Sequence, residues 1–222
     1  MCSCEFSIFP KDEKIEGKDR IEAAQKEYTK WDSGYVEVIN QKSGEVDESF
    51  LFKYDEVDVL SYLHKSIVND KQKIEFSTGY RMFIQYGDEA VEVKKNHDEF
   101  VVYIRSGKTH SWAGKNAITF LEEGIKDVKT EEKDGMTYLT YTYDANELEF
   151  KNNSGKATGF SATYCLKDDE IQWYTQETQV EKDDGTSELY SYKIVFSQKN
   201  SVGKIENPIV VTEKTEDTDS KE

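Results

Sequence analysis

Asp134-Gly135 stands between two runs that alternate apolar and polar residues, 127–133 and 136–143. That arrangement commits the stretch to an antiparallel hairpin, because glycine accepts the positive φ that a tight two-residue turn needs. A second copy follows. Residues 171–182 and 188–198 flank Asp183-Asp-Gly-Thr-Ser187. Further alternating runs at 35–41, 48–54, 57–67, 73–78, 80–86, 90–95, 99–105 and 160–166 end at turn clusters such as Lys42-Ser-Gly44 and Asn96-His-Asp98. A chain so patterned is mainly β, an α+β fold built on one large antiparallel sheet.

Two stretches carry the helical period instead. Ile21, Ala24, Tyr28 and Trp31 recur at spacings of three and four after Asp19, which predicts a helix over 19–31 capped by Asp19. Trp112, Asn116, Ala117, Phe120 and Leu121 predict a second helix over 111–124, ending at Gly124. Residues 144–150 suggest a short helical turn, and 152–156 a loop. Residues 1–18 form a polar tether, 19–211 one domain, and 212–222 an acidic, disordered tail.

Aromatic residues are 13% of a chain whose apolar content is only 36%, a balance that suits half-buried sheet faces. The formal net charge of −16 argues against nucleic acid or an anionic membrane surface as a direct partner. No nucleophile motif, phosphate-cradling glycine pattern or calcium loop is present. His64, His97 and His110 stand apart and read as ordinary surface histidines. Three cysteines make no disulfide framework; Cys165 sits in an apolar strand and reads as a small core residue. The expectation is a protein without catalytic activity, metal or cofactor, and without a transmembrane helix in this stretch of chain.

Met1-Cys-Ser-Cys4 resembles the end of the box that precedes the lipid-bearing cysteine of bacterial lipoproteins, with Ser3 small at the last position before Cys4. On that reading Cys4 is the lipid attachment site, and the chain meets the membrane only through the anchor. The alternatives are two incidental thiols, or a metal pair that lacks its second pair of ligands. Tyr28, Trp31, Trp112, Phe120, Tyr141 and Trp173 are the candidate walls of an apolar cleft between sheet and helices. The competing reading has the same rings consumed as packing.

The succession of candidate lipidated cysteine, tether, helix, many strands and helical insertion resembles the bacterial lipoprotein-carrier superfamily. That class includes the outer-membrane-lipoprotein carrier (LolA-like) and related mycobacterial cell-envelope lipoproteins (LppX-like). Residues 135–143, Gly185-Thr-Ser-Glu-Leu-Tyr-Ser-Tyr-Lys-Ile-Val-Phe196 and the ending Asn200-Ser-Val-Gly-Lys-Ile-Glu-Asn-Pro208 carry the likeness best. The ending is similar to the exit of a Gram-positive lipoprotein branch. The resemblance implies a half-open β-barrel covered by an N-terminal and a mid-chain helix, and an apolar or lipid-like ligand. The expected protein is a monomeric, membrane-anchored, extracytoplasmic lipoprotein with no nucleic-acid partner. A cell-surface interaction domain with a fully packed core is the alternative, and an extracellular hydrolase ranks last.

Overall fold

Asp134 and Gly135 both adopt positive φ, 53° and 73°, and the hairpin they close forms as the alternation demands. The computed structural model describes residues 15–93, 111–114, 117–145 and 155–211. A helix, α1 (Lys18–Tyr28), precedes β1 (Ser33–Asn40), β2 (Val46–Tyr54), β3 (Leu60–Val68), β4 (Lys71–Ser77), β5 (Met82–Tyr86) and β6 (Glu89–Val93). A 3-10 turn at Ser111–Ala113 then leads to β7 (Ile125–Lys133), β8 (Met136–Tyr143), β9 (Lys156–Lys167), β10 (Glu170–Glu181) and β11 (Ser187–Ser197). The run expected at 99–105 and all but the first two residues of the turn expected at 144–150, with Cys4, His97, His110, the tether before residue 15 and the acidic tail, lie outside the described residues.

All eleven described strands belong to one antiparallel sheet, ordered β6-β5-β4-β3-β2-β1-β11-β10-β9-β8-β7. Two meanders meet where β1 pairs with β11, Val36 opposite Phe196. Phe50 of β2 and Tyr141 of β8 nevertheless share one core cluster. Five strand spacings of roughly 4.8 Å separate them along the sheet, which is curved around this cluster. It does not close: among the described residues β6 and β7 are its edges. The result is a half-open barrel. Lys126, Asp127, Lys129, Glu131, Glu132 and Lys133 make β7 an edge that resists pairing with a further strand.

The inner face carries α1, whose buried stripe is Ile21, Ala24 and Tyr28. Two details differ from the sequence reading. The N-cap is Gly17 at φ 74°, not Asp19, which lies in the first turn and favours the helix there through its charge. A Cβ on Gly17 would meet Leu139 Cδ2 at 2.8 Å and the Tyr141 hydroxyl at 2.9 Å. The helix also stops at Tyr28, leaving Trp31 just beyond it.

The expected second helix over 111–124 is not formed among its described residues. Ser111–Ala113 makes a single 3-10 turn and residues 119–122 are irregular. The fold therefore has one α-helix where the sequence pattern suggested two, among the described residues.

A smaller core sits on the outer face. After β11 the chain runs across the back of the sheet, held by Val202 N–H donating to Ser33 Oγ at 3.1 Å and Lys53 Nζ to Val202 O at 3.2 Å. Ile205 and Ile209 then pack against Phe76, Phe83, Leu63 and Ile74. Ile209→Ala is expected to cost about 2 kcal/mol, the lower end for a buried isoleucine, read as a reduced urea midpoint with unchanged β-sheet circular dichroism.

Candidate functional site

Alternation along the strands aims a set of tyrosines into the curl. Tyr141 and Tyr143 lie on β8, Tyr164 on β9, Tyr174 on β10 and Tyr54 on β2, each in a buried position. A buried phenol needs a partner for its hydroxyl. Here the partners are main-chain carbonyls of the 3-10 turn and of the stretch that follows it up to β7. Tyr28 donates to Trp112 O at 2.5 Å, Tyr54 to Ala113 O at 2.9 Å and Tyr174 to Ala117 O at 3.2 Å. Tyr164 donates to Thr119 O at 2.6 Å and Tyr143 to Leu121 O at 3.1 Å, while Gln25 Nε2 reaches Ile118 O at 2.7 Å. Carbonyls taken by side chains are not carrying a helical ladder, which is why the apolar period of this stretch does not become a helix.

Burial lifts Tyr28, Tyr143 and Tyr164 well above the ordinary phenol pKa, and Tyr174 to about 12. Tyr141, which donates to Glu16 O at 2.7 Å, is also pushed up to about 12 by burial, with Glu16 and Asp19 adding to it. They are neutral donors across the physiological range.

Of the residues proposed as cleft walls, the structure brings five together. Tyr28, Trp31 and Tyr141 are core residues, at 2%, 4% and 0% exposure, and Trp112 and Phe120 pack against the same cluster. They fill the centre of the curl. Trp173 is not among them. A bulge in β10 between Ile171 and Trp173 turns Ile171 and Tyr174 inward and Trp173 outward. There it meets Tyr138, ring centroids 6.0 Å apart, under the Lys193 ammonium at 4.3 Å.

Open space on the inner face lies further along β10, where the tyrosine series ends. Gln176, Thr178 and Val180 continue the inward alternation from Tyr174 and, with Tyr190 and Tyr192 of β11 and Ala157 of β9, line a cleft of about 350 Å³. Tyr192 packs against the central cluster, so the cleft adjoins the core. The sequence reading missed these residues. The signal was the unbroken alternation from Tyr174 to Val180, whose polar members lacked the aromatic character that drew attention elsewhere.

A second feature was also missed. His64, read as an ordinary surface residue, points inward from β3 with its side chain only 11% exposed. Its Nε2 lies 2.7 Å from Glu48 Oε1 and its Nδ1 2.9 Å from Glu75 Oε2. Trp112 Nε1–H donates to the same Glu48 oxygen at 2.6 Å, and Lys73 Nζ lies 3.2 Å from Glu75. Burial works against a charge on His64, yet hydrogen bonds and attraction from Glu48 and Glu75 outweigh it and raise the imidazole to about 9. Burial likewise opposes the Glu75 charge, but His64 and Lys73 hold that carboxyl near 2. Among the described residues no group of three or more His, Cys, Asp and Glu is placed to hold a metal ion, and no helix is long and apolar enough to cross a membrane.

No protein-family model matches the chain, and no curated protein matches it. Among solved structures, the crystal structure of LprF from Mycobacterium bovis is similar to it, with a TM-score of 0.48 and 15% sequence identity. The likeness covers 87% of this chain and 97% of that one. At that level it bears on neither ligand nor mechanism.

The His64 bridge predicts a pH dependence. Its pKa is raised on folding, from 6.5 to about 9, so its stabilisation is complete below pH 6.5 and is lost as pH rises through 9. The raised histidine and the lowered glutamate describe one interaction and are not summed; the effect is at most about 3 kcal/mol. Urea midpoints between pH 6 and 9.5 should fall more steeply for the parent than for His64→Gln. Parallel curves would show that the bridge contributes nothing.

Proposed function

We propose that this chain is a non-catalytic binding protein that takes an apolar or amphiphilic ligand on the inner face of its half-open sheet. The observation that carries the reading is the cleft of about 350 Å³ lined by Gln176, Thr178, Val180, Tyr190 and Tyr192. It is within the usual ~300–1,000 Å³ of ligand sites, at the small end, with aromatic and aliphatic walls and a few polar groups. The central aromatics Tyr28, Trp31 and Tyr141 support that site as packed core and do not line it.

Nile red, a neutral probe whose emission shifts blue in apolar surroundings, tests this reading. The parent should bind it saturably, and Thr178→Trp, which projects a ring from a half-buried wall position into the cleft, should abolish binding without lowering the melting temperature. A specific observation favours a second reading, an interaction domain with a closed core: Trp31 is 4% exposed. Trp31→Ala should cost about 3–5 kcal/mol in either case. That loss, together with no probe binding by the parent, would leave only the second reading.

The proposed location is extracytoplasmic, with the chain tethered to a membrane through a lipid on Cys4. Ser3-Cys4 followed by a polar stretch up to α1 supports it. Intact mass of the natively expressed protein should exceed that of the polypeptide by a diacylglyceryl group at Cys4, and Cys4→Ala should shift the protein to the soluble fraction. An unmodified Cys4 in a soluble parent protein would end that proposal.

A further inference from the structure

The polar groups of the inner-face cleft say which ligands it accepts; this step rests on the binding reading above and narrows it. Gln176, Thr178 and Tyr192 lie in half-buried positions along the walls. Tyr28, Tyr54, Tyr141, Tyr143, Tyr164 and Tyr174 donate to the main chain and Tyr190 to Glu188, whereas the side chains of Gln176, Thr178 and Tyr192 make no hydrogen bond to another described residue. In the open cleft, water can serve them. A ligand that covers them must replace that water, since a polar group buried without a partner costs about 1–3 kcal/mol. A plain hydrocarbon offers no replacement.

The groups available are an amide, a hydroxyl and a phenol, all able both to donate and to accept. They match a ligand that carries a carbonyl together with N–H or O–H groups. Charge narrows the class further. Among the described residues that line the cleft there is no Lys, Arg, Asp or Glu. One ionised group is joined to a lining residue: Glu188 accepts from the Tyr190 hydroxyl at 3.0 Å and is already paired with Lys42 and Lys182. A carboxylate or phosphate entering here would find no cation, in a molecule of net charge −16. An ammonium would find no carboxylate on the walls. The volume of about 350 Å³ suits one short chain and leaves no room for a lipid with several long ones.

The geometry points to a neutral, single-chain amphiphile as the ligand, its amide or hydroxylated ester head held by Gln176, Thr178 and Tyr192. Its alkyl part lies against Val180, Ala157 and the Tyr190 ring.

The test compares two probes with the same ten-carbon acyl chain, decanoyl-N-methylglucamide and decanoate, below their micelle concentrations. Each is titrated into the full chain by calorimetry and by amide-resolved NMR. The neutral amide should bind at least about tenfold tighter, a difference of about 1.4 kcal/mol, with shifts concentrated at residues 155–157, 176–180 and 190–192. Thr178→Val with Gln176→Leu keeps the side-chain bulk and should reduce the amide to the level of decanoate. If that pair fails to fold, Tyr192→Phe removes a single oxygen and should weaken the amide several-fold while leaving decanoate unchanged. Equal or tighter binding of decanoate, or shifts centred on 112–121, would overturn this assignment and leave a binding function standing. Absence of binding by both probes and by Nile red would overturn the binding function itself.

Discussion

The interaction on which the rest of the structure depends is the set of inward phenol hydroxyls that hold main-chain carbonyls. Tyr28, Tyr54, Tyr143, Tyr164 and Tyr174 draw the stretch from Trp112 to Leu121 into the curl of the sheet. Each partner answers a need of the other. The phenols bring large apolar surface but also a hydroxyl that must be bonded, and the irregular main chain brings carbonyls that no strand or helix satisfies. Separating them would leave five phenols without acceptors at once. A network of this kind, fully paired in a low-dielectric interior, specifies one arrangement.

That arrangement explains the division of labour on the inner face. Where α1 and the pinned stretch lie, the curl is filled, and the rings of Tyr28, Phe52, Phe196 and Tyr174 meet edge-on or stacked at centroid distances of 5.0–6.1 Å. Beyond Tyr174 the inner face turns to Gln176, Thr178 and Tyr192 around open space, and no carbonyl of the described residues bonds their side chains. The His64 bridge marks the other flank of the pinned stretch, where Glu48 accepts from both His64 and the Trp112 indole. The buried charges there are paired on both sides of the imidazole, which is the condition under which a buried ion is tolerated.

The outer face is organised differently. One part is covered by the chain end through Ile205 and Ile209. Another carries hydroxyl and charged side chains in register, such as Thr140 with Thr163 at 3.0 Å and Glu177 with Ser191 at 3.2 Å. The sheet is therefore covered by its own chain on the two faces in different places, and its charged β7 edge discourages extension.

The sequence by itself determined the strands and turns. Period-two alternation and the positive-φ residues Asp134-Gly135 are local properties, expressed before any long-range contact forms, and all eleven described strands lie close to where the pattern put them. The stripe of Ile21, Ala24 and Tyr28 was legible for the same reason. Only the tertiary structure decided the fate of 111–124, because its helical spacing was overruled by acceptors and donors more than twenty residues apart in the chain. The side on which Trp173 falls was equally illegible: one extra residue in β10 reverses its face, and no period announces a bulge. The pairing of His64 with Glu48 and Glu75 depends on the register of three strands, which decides which charges meet. The cleft, finally, is a property of where packing stops, and a sequence lists the residues that fill space without showing the space they leave.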